Sequence, residues 1–167
     1  MTEIEEVERR FKNKLYELSI ELPKKYSETK ITTYNCAALT MKSFLEILNI
    51  NDLNLINMAA PLAGITNICG AVNAGLMITG FIAGKKGKKA LDQMIAAAEG
   101  MKFLKRFKQE FGSIHCQDLT GGYNLLTVEG LDCYLRDKIW EKKCYKHVLI
   151  ALKIIGIVYT KQISKII

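Results

Sequence analysis

The chain has 167 residues, of which 49% are hydrophobic and 25% charged, and its formal net charge is +7. This length and composition are those of one globular domain that buries a sizeable core. The basic balance does not indicate nucleic-acid binding, because the lysines are scattered apart from those in residues 84–89. No aromatic residue interleaves with that run, and its glycines and lysines do not have P-loop spacing.

The first predicted element is a helix over residues 2–22. Thr2 and Glu5 have the spacing of a capping box, and apolar residues follow at helical intervals. Pro23 is expected to end the helix, because proline lacks a backbone N–H. The polar residues 24–33 that follow are expected to form a loop with a short turn of helix. The N-terminus has no basic-then-apolar leader pattern, so we expect a cytoplasmic location, where cysteines more often react or bind metal than form structural disulfides.

The remaining segments predict further helices and no sheet, because no run alternates apolar and polar residues. The fold class is therefore all-α, a single-domain bundle of about six to seven helices around a buried glycine- and alanine-rich helix, with the cysteines in a core over about residues 31–145. The longer predicted helices run from Asn35 to about Leu48, Ile68 to about Ala83, Gly87 to Phe111, Val128 to Lys143 and Tyr145 to about Lys161. A short helix, capped by Asn51 or Asp52, is predicted to end near Pro61. The apolar face of the helix from Gly87 to Phe111 includes Leu91, Met94, Met101 and Phe107.

The uncharged stretch from Leu53 to Gly84 is long enough to suggest a membrane hairpin. It also contains four asparagines, a proline and several glycines, and each unsatisfied polar group costs free energy in lipid. We therefore do not favour membrane insertion and expect a buried helix. The isoleucine-rich C-terminal helix predicts a packing face or the face of a homodimer.

Five cysteines stand out, and four of them are predicted to lie near helix ends: Cys36, Cys69, Cys116 and Cys133. The N-terminus of a helix carries partial positive charge and free N–H groups, which stabilise the thiolate form that reacts or binds metal. Cys144 is predicted to lie at a junction between helices and is interpreted as incidental.

Cys69 gives the sharpest local signal. Thr66 or Asn67 is a plausible cap for the following helix, and Gly70 removes side-chain bulk, so a cofactor or a second sulfur has room to approach the backbone. His115 beside Cys116 fits a ligand, a base or a surface histidine. His147, a lone helical histidine, is assigned no role.

Several familiar cysteine motifs are absent. The chain has no CxxC pair, no CxxCH and no ferredoxin spacing, so a metal site would have to be assembled from separate helices. No serine is placed with a histidine and a carboxylate in a pattern typical of hydrolysis.

From Asn35 to Cys133 and into the following helix, the chain resembles the C_GCAxxG_C_C family of redox-active proteins. The resemblance rests on the Asn35-Cys36-Ala37 segment, the Cys69-Gly70-Ala71-Val72 segment, Cys116 and Cys133. The chain is also similar to the non-haem part of split-Soret cytochromes, where cysteines on helices hold an iron–sulfur cluster. The resemblance implies a cluster site with the ligands Cys36, Cys69, Cys116 and Cys133, and with Gly70 beside them.

Our leading hypothesis is therefore an iron–sulfur cluster protein for electron transfer or redox sensing, working with a redox partner protein that the sequence does not identify. One alternative is a thiol–disulfide protein that uses Cys69 with Cys36 or Cys116. Another is a helical domain stabilised by a structural zinc ion. The sequence leaves open whether the protein is an enzyme.

Overall fold

The computed structural model of the chain describes residues 2–29, 34–84 and 89–166, and within these ranges it confirms an all-α single domain. The residues Ile68 and His115 form an isolated antiparallel β-bridge. The described helical elements are α1 (Glu3–Thr29), α2 (Cys36–Ile47), α3 (Leu53–Ala59) with a 3₁₀ turn (Ala60–Leu62), α4 (Gly70–Gly84), α5 (Lys89–Phe111), α6 (Cys116–Thr120), α7 (Val128–Arg136), a π-helical segment (Trp140–Cys144) and α8 (Tyr145–Ile163).

Local signals predicted the starts of the first three helices. Thr2 and Glu5 form the reciprocal capping box, with each side chain accepting the other residue's backbone N–H. The Asn35 side chain accepts the N–H of Ala38 at the start of α2, and Asp52 caps α3. These bonds satisfy N–H groups that have no partner within their own helix.

The expected end of α1 at Pro23 is wrong, because the helix continues to Thr29. Proline removes one hydrogen bond to the carbonyl of Ser19, which lies four residues earlier. Both residues are exposed, so the helix accommodates the change on its solvent side. The expected loop over residues 24–33 is thus helical up to Thr29, and its remaining residues lie outside the described ranges.

The predicted apolar face of α5 is correct at one end and wrong at the other. Phe107 is fully buried, as expected, together with Phe103. Met94 and Met101 are 72% and 71% exposed, and Leu91 is exposed as well. The buried side of α5 instead follows the aromatic residues of its last three turns.

Gly75 allows α4 and α5 to pack closely. A Cβ atom at this position would lie 2.2 Å from the Cζ atom of Phe103, whose ring is fully buried. The ring of Phe103 therefore occupies the space that any other residue at position 75 would need.

Two segments differ from the predicted helix pattern after α5. The region between the predicted helices that end at Phe111 and begin at Val128 contains the short helix α6, and Gly121, with a φ of 95°, follows its last residue. The single helix expected over residues 128–143 is divided, because Lys138 has a φ of 53° and the chain then enters the π-helical segment. A residue with positive φ cannot continue a right-handed helix.

In the described part of the chain, no helix has the length and apolar character that a membrane span requires. In the C-terminal helix α8, Ile154 and Ile155 are buried against the rest of the domain, whereas Ile157 is exposed. Most of the isoleucine-rich face therefore packs within the chain.

Gly75→Ala should destabilise the protein. Alanine favours helix by about 1 kcal/mol over glycine, but forcing a methyl group against a buried ring costs about 1–3 kcal/mol. We expect a net loss of unfolding free energy in urea denaturation. Gly80→Ala on the same helix is the matched control, because nothing lies within 4 Å of its added Cβ, and it should raise stability. Equal effects of the two substitutions would contradict the packing described here.

Candidate cysteine site

A short backbone pairing brings Cys69 and Cys116 together. The N–H of Cys69 donates to the carbonyl of Ile114 at 2.9 Å, and the N–H of Cys116 donates to the carbonyl of Asn67 at 2.8 Å. These bonds flank the bridge between Ile68 and His115. Two loops that are far apart in sequence are thereby joined next to both cysteines.

Both of these cysteines lie where a helix begins. Cys69 immediately precedes α4, and Cys116 is the first residue of α6. The cap position expected for Thr66 or Asn67 is thus occupied by Cys69, whose carbonyl accepts the N–H of Asn73. The Cys69 sulfur accepts a hydrogen bond from the backbone N–H of Ala71 in the first turn of α4.

Cys36 reaches the same place from α2. A Cβ atom added at Gly70 would lie 2.5 Å from the Cys36 sulfur and 2.9 Å from the Cβ of Ala63. Gly70 therefore leaves the space that the Cys36 side chain occupies beside the start of α4. A side-chain hydrogen bond joins Cys36 to Cys69.

The C-terminal part of the chain adds Cys144 and His147. The Cys144 sulfur lies 3.3 Å from the hydroxyl of Tyr134 on α7. His147, in the first turns of α8, is hydrogen-bonded to Cys69. Its ring meets that of Phe111 edge-on, with the ring centroids 4.7 Å apart, which holds the imidazole in one orientation.

These side chains surround one cavity of about 420 Å³. Asp, Glu, Lys and Arg are absent from the described residues that line it, and most of its wall is apolar. The residues in its wall that carry sulfur or imidazole groups are Cys36, Cys69, Cys116, Cys144 and His147.

Cys133 and His115 lie elsewhere. Cys133, on α7, is not among the described residues that line the cavity, and its sulfur accepts a hydrogen bond from Arg136 at 3.3 Å. His115 is exposed and lines a smaller, polar cavity of about 240 Å³. Cys116 lies in the wall of both cavities.

The environment of Cys69 favours its thiolate. The hydrogen bond from the Cys36 thiol holds the pKa of Cys69 well below its ordinary value, and His147 and the N–H of Ala71 act in the same direction. These donors outweigh the burial of the sulfur, which alone would raise the pKa. A lowered pKa raises the fraction of the thiol that is in the nucleophilic thiolate form.

The other three thiols of the cavity are held protonated. The hydrogen bond to Cys69, together with burial, raises the pKa of Cys36 well above its ordinary value. Burial raises the pKa of Cys116 to about 11 and that of Cys144 to about 12. Of the four thiols, Cys69 is therefore the one whose surroundings favour ionisation.

Cys144, which the sequence pattern marks as incidental, and His147, which it assigns no role, both line the cavity. The signal that points to them is their spacing, since Trp140, Cys144 and His147 are four and three residues apart and lie on one helical face. That periodicity becomes informative once the helix is known to begin after Lys138.

No group of three or more histidine, cysteine or acidic side chains in the described ranges is arranged to hold a single metal ion. The four thiols come from separate helical elements and face a shared cavity. Because an iron–sulfur cluster contains several iron atoms, its thiolate ligands lie farther apart than those of one ion, and four cysteines are its usual ligand set.

The comparisons with known proteins agree with the resemblance seen in the sequence. A family model described as "Putative redox-active protein (C_GCAxxG_C_C)" matches residues 34–156, which include all five cysteines and His147. Neither the curated proteins nor the solved structures provide a match.

The two histidines allow a matched test of the thiolate. His147→Phe should shift the alkylation of Cys69 to higher pH, because the variant keeps an aromatic ring but loses a donor to the sulfur. The rate follows the thiolate fraction and therefore rises as the pH passes through the pKa of Cys69. The measurement is the pH dependence of iodoacetamide labelling at Cys69, read by peptide mass spectrometry.

His115→Phe is the control, since His115 lies outside the cavity that Cys69 lines, and its profile should match that of the unaltered protein. A profile that His147→Phe leaves unchanged would contradict the role assigned to His147.

Proposed function

The chain belongs to the C_GCAxxG_C_C family of redox-active proteins, and from this premise we propose that Cys69 and Cys36 form its thiol–disulfide redox centre. Cys69 is the attacking sulfur, and Cys36 is the resolving sulfur. Cys116, the other resolving partner that the sequence allows, has no comparable hydrogen bond to Cys69 among those described.

The packing of Cys36 beside Cys69 carries this proposal. Both side chains line one cavity, and the Cys36 sulfur occupies the space left open at Gly70, the residue that follows Cys69. The interaction between the two thiols lowers the pKa of Cys69 and raises that of Cys36. Thiol–disulfide exchange begins with the attack of a thiolate, and a second thiol nearby can then resolve the mixed disulfide.

The reaction has two steps. The Cys69 thiolate attacks one sulfur of a disulfide R–S–S–R, forms a mixed disulfide and releases RS⁻. Cys36 then gives its proton to that thiolate and attacks the Cys69 sulfur, so the second RS⁻ leaves and takes a proton from solvent. Two electrons pass from the cysteines to the substrate, and the products are the Cys36–Cys69 disulfide and two RSH molecules.

Cys36→Ser should trap the first intermediate. Cys69 still attacks the disulfide, but no resolving thiol is in contact with it, so a stable mixed disulfide at Cys69 is expected. Intact-protein and peptide mass spectrometry after exposure to a small disulfide would detect it. Cys69→Ser should form neither the mixed disulfide nor an internal one with Cys36.

Cys133→Ser is the control for that experiment and should still form the Cys36–Cys69 disulfide, because Cys133 lies outside the cavity. Finding both Cys36 and Cys69 as free thiols after oxidation of the unaltered protein would refute the proposed centre.

A second candidate function is supported by a different observation, the shared cavity that four cysteines line. Cys36, Cys69, Cys116 and Cys144 would supply the four thiolates of an iron–sulfur cluster. A bound cluster would supply one-electron transfer. The apolar wall of the cavity would limit the access of solvent to it, and His147 would remain available as a hydrogen-bond donor to a ligand sulfur.

Two single substitutions test the cluster and its ligands. After anaerobic reconstitution with iron and sulfide, Cys133→Ser should bind as much iron and sulfide as the unaltered protein. Cys144→Ser should bind less, because its side chain belongs to the cavity wall. If the unaltered protein is colourless and contains no iron, the cluster is excluded. If Cys133→Ser loses iron and Cys144→Ser does not, the result favours the ligand set predicted from the sequence.

A further inference from the structure

We propose that the disulfides reduced at this site are uncharged, apolar small molecules. This inference rests on the thiol–disulfide function proposed above and adds the substrate class. Three properties of the cavity carry it: the burial of the attacking sulfur, the chemistry of the wall and the hydrogen bonds in which the polar groups of the wall already take part.

The burial of Cys69 limits the size of the substrate. The residue is 4% exposed, so a disulfide on the surface of a folded protein cannot reach its sulfur without rearrangement of the wall. The cavity of about 420 Å³ falls within the range of small-molecule sites. A compact disulfide that enters the cavity can place its sulfur against Cys69.

The wall of the cavity is suited to apolar groups. Its aliphatic and aromatic members come from the loop before α4 and from the elements that follow α5, and they are Ala63, Ile65, Leu119, Leu125, Leu131, Leu135 and Trp140. The described lining contains no lysine or arginine to pair with a carboxylate and no acidic side chain to pair with an ammonium group, and its one histidine, His147, is hydrogen-bonded to Cys69.

The amide and hydroxyl side chains of the wall already have hydrogen-bond partners. The Asn35 side chain accepts the N–H of Ala38 and donates to the carbonyl of Ala60. The hydroxyl of Thr120 donates to the carbonyl of Cys116, and that of Tyr134 is bonded to the Cys144 sulfur. A charged substrate would therefore lose its hydration without gaining an equivalent partner, which is costly in an apolar site.

The neighbouring polar cavity shows the contrast. It is lined by His115, Gln117, Asp118 and two asparagines, and its sulfur is that of Cys116. Burial raises the pKa of that thiol to about 11, so it is protonated at neutral pH. A charged disulfide that enters the polar cavity thus meets an unreactive thiol instead of Cys69.

The test uses three methanethiosulfonates that differ in charge: the ethyl, the 2-sulfonatoethyl and the 2-(trimethylammonium)ethyl reagents. In each reaction the Cys69 thiolate takes the RS group and releases methanesulfinate. The protein is the full chain with Cys133→Ser, which removes the thiol beside Arg136. Each rate at Cys69 is divided by the rate of the same reagent with free cysteine, which corrects for intrinsic reactivity.

We expect the normalised rate of the ethyl reagent to exceed those of both charged reagents by about tenfold or more, since each charge must lose its hydration in the apolar cavity. Equal normalised rates for the three reagents would overturn the substrate class while leaving the redox centre intact. Failure of all three to react with Cys69 at neutral pH would overturn the redox centre itself.

A charge placed in the wall should redirect this preference. Leu135 lines the cavity and is 56% exposed, so the fold tolerates substitution there. Leu135→Lys should speed the reaction of the sulfonate, and Leu135→Glu should speed that of the trimethylammonium reagent.

Val128→Lys on the same helix is the matched control, because Val128 is 81% exposed and lies outside the described lining. The same response to Val128→Lys and Leu135→Lys would show that surface charge governs the rates, and it would overturn the proposed role of the cavity.

Discussion

The site depends on the hydrogen-bond donors that surround the buried sulfur of Cys69. A buried charge is stable only where hydrogen-bond donors replace the lost water. At Cys69 the donors come from three helices: the Cys36 thiol from α2, the imidazole of His147 from α8 and the N–H of Ala71 from α4. The surroundings of the Cys69 sulfur therefore link elements from across the chain, and we expect a change that moves one of these donors to alter the pKa of Cys69.

Backbone features position these donors. The pairing around Ile68 and His115 brings the starts of α4 and α6 together. The missing side chain of Gly70 lets the Cys36 sulfur lie against the start of α4. The pKa of Cys69 is lowered while those of the other three thiols of the cavity are raised. This asymmetry connects the fold to the proposed exchange chemistry, and the apolar wall connects it to the proposed preference for uncharged substrates.

Local signals in the sequence predicted part of this arrangement. The cap at Asn35 and the open space at Gly70 follow from neighbouring residues, so they can be recognised without a structure. The contributions of Cys144 and His147 depend on where a helix restarts after the positive φ of Lys138, and no local pattern marks that break. Which sulfurs share a cavity depends on long-range packing between helices, so it cannot be predicted from local sequence patterns.

The central claim is that Cys69 is a thiolate at neutral pH, and the ultraviolet absorbance of the thiolate tests it most directly. The pH titration of the reduced protein is compared with that of Cys69→Ser, in a background that carries Cys133→Ser. The account predicts that the absorbance of one thiolate persists well below the ordinary thiol pKa and is absent from Cys69→Ser. Identical titrations of the two proteins at and below neutral pH would contradict it.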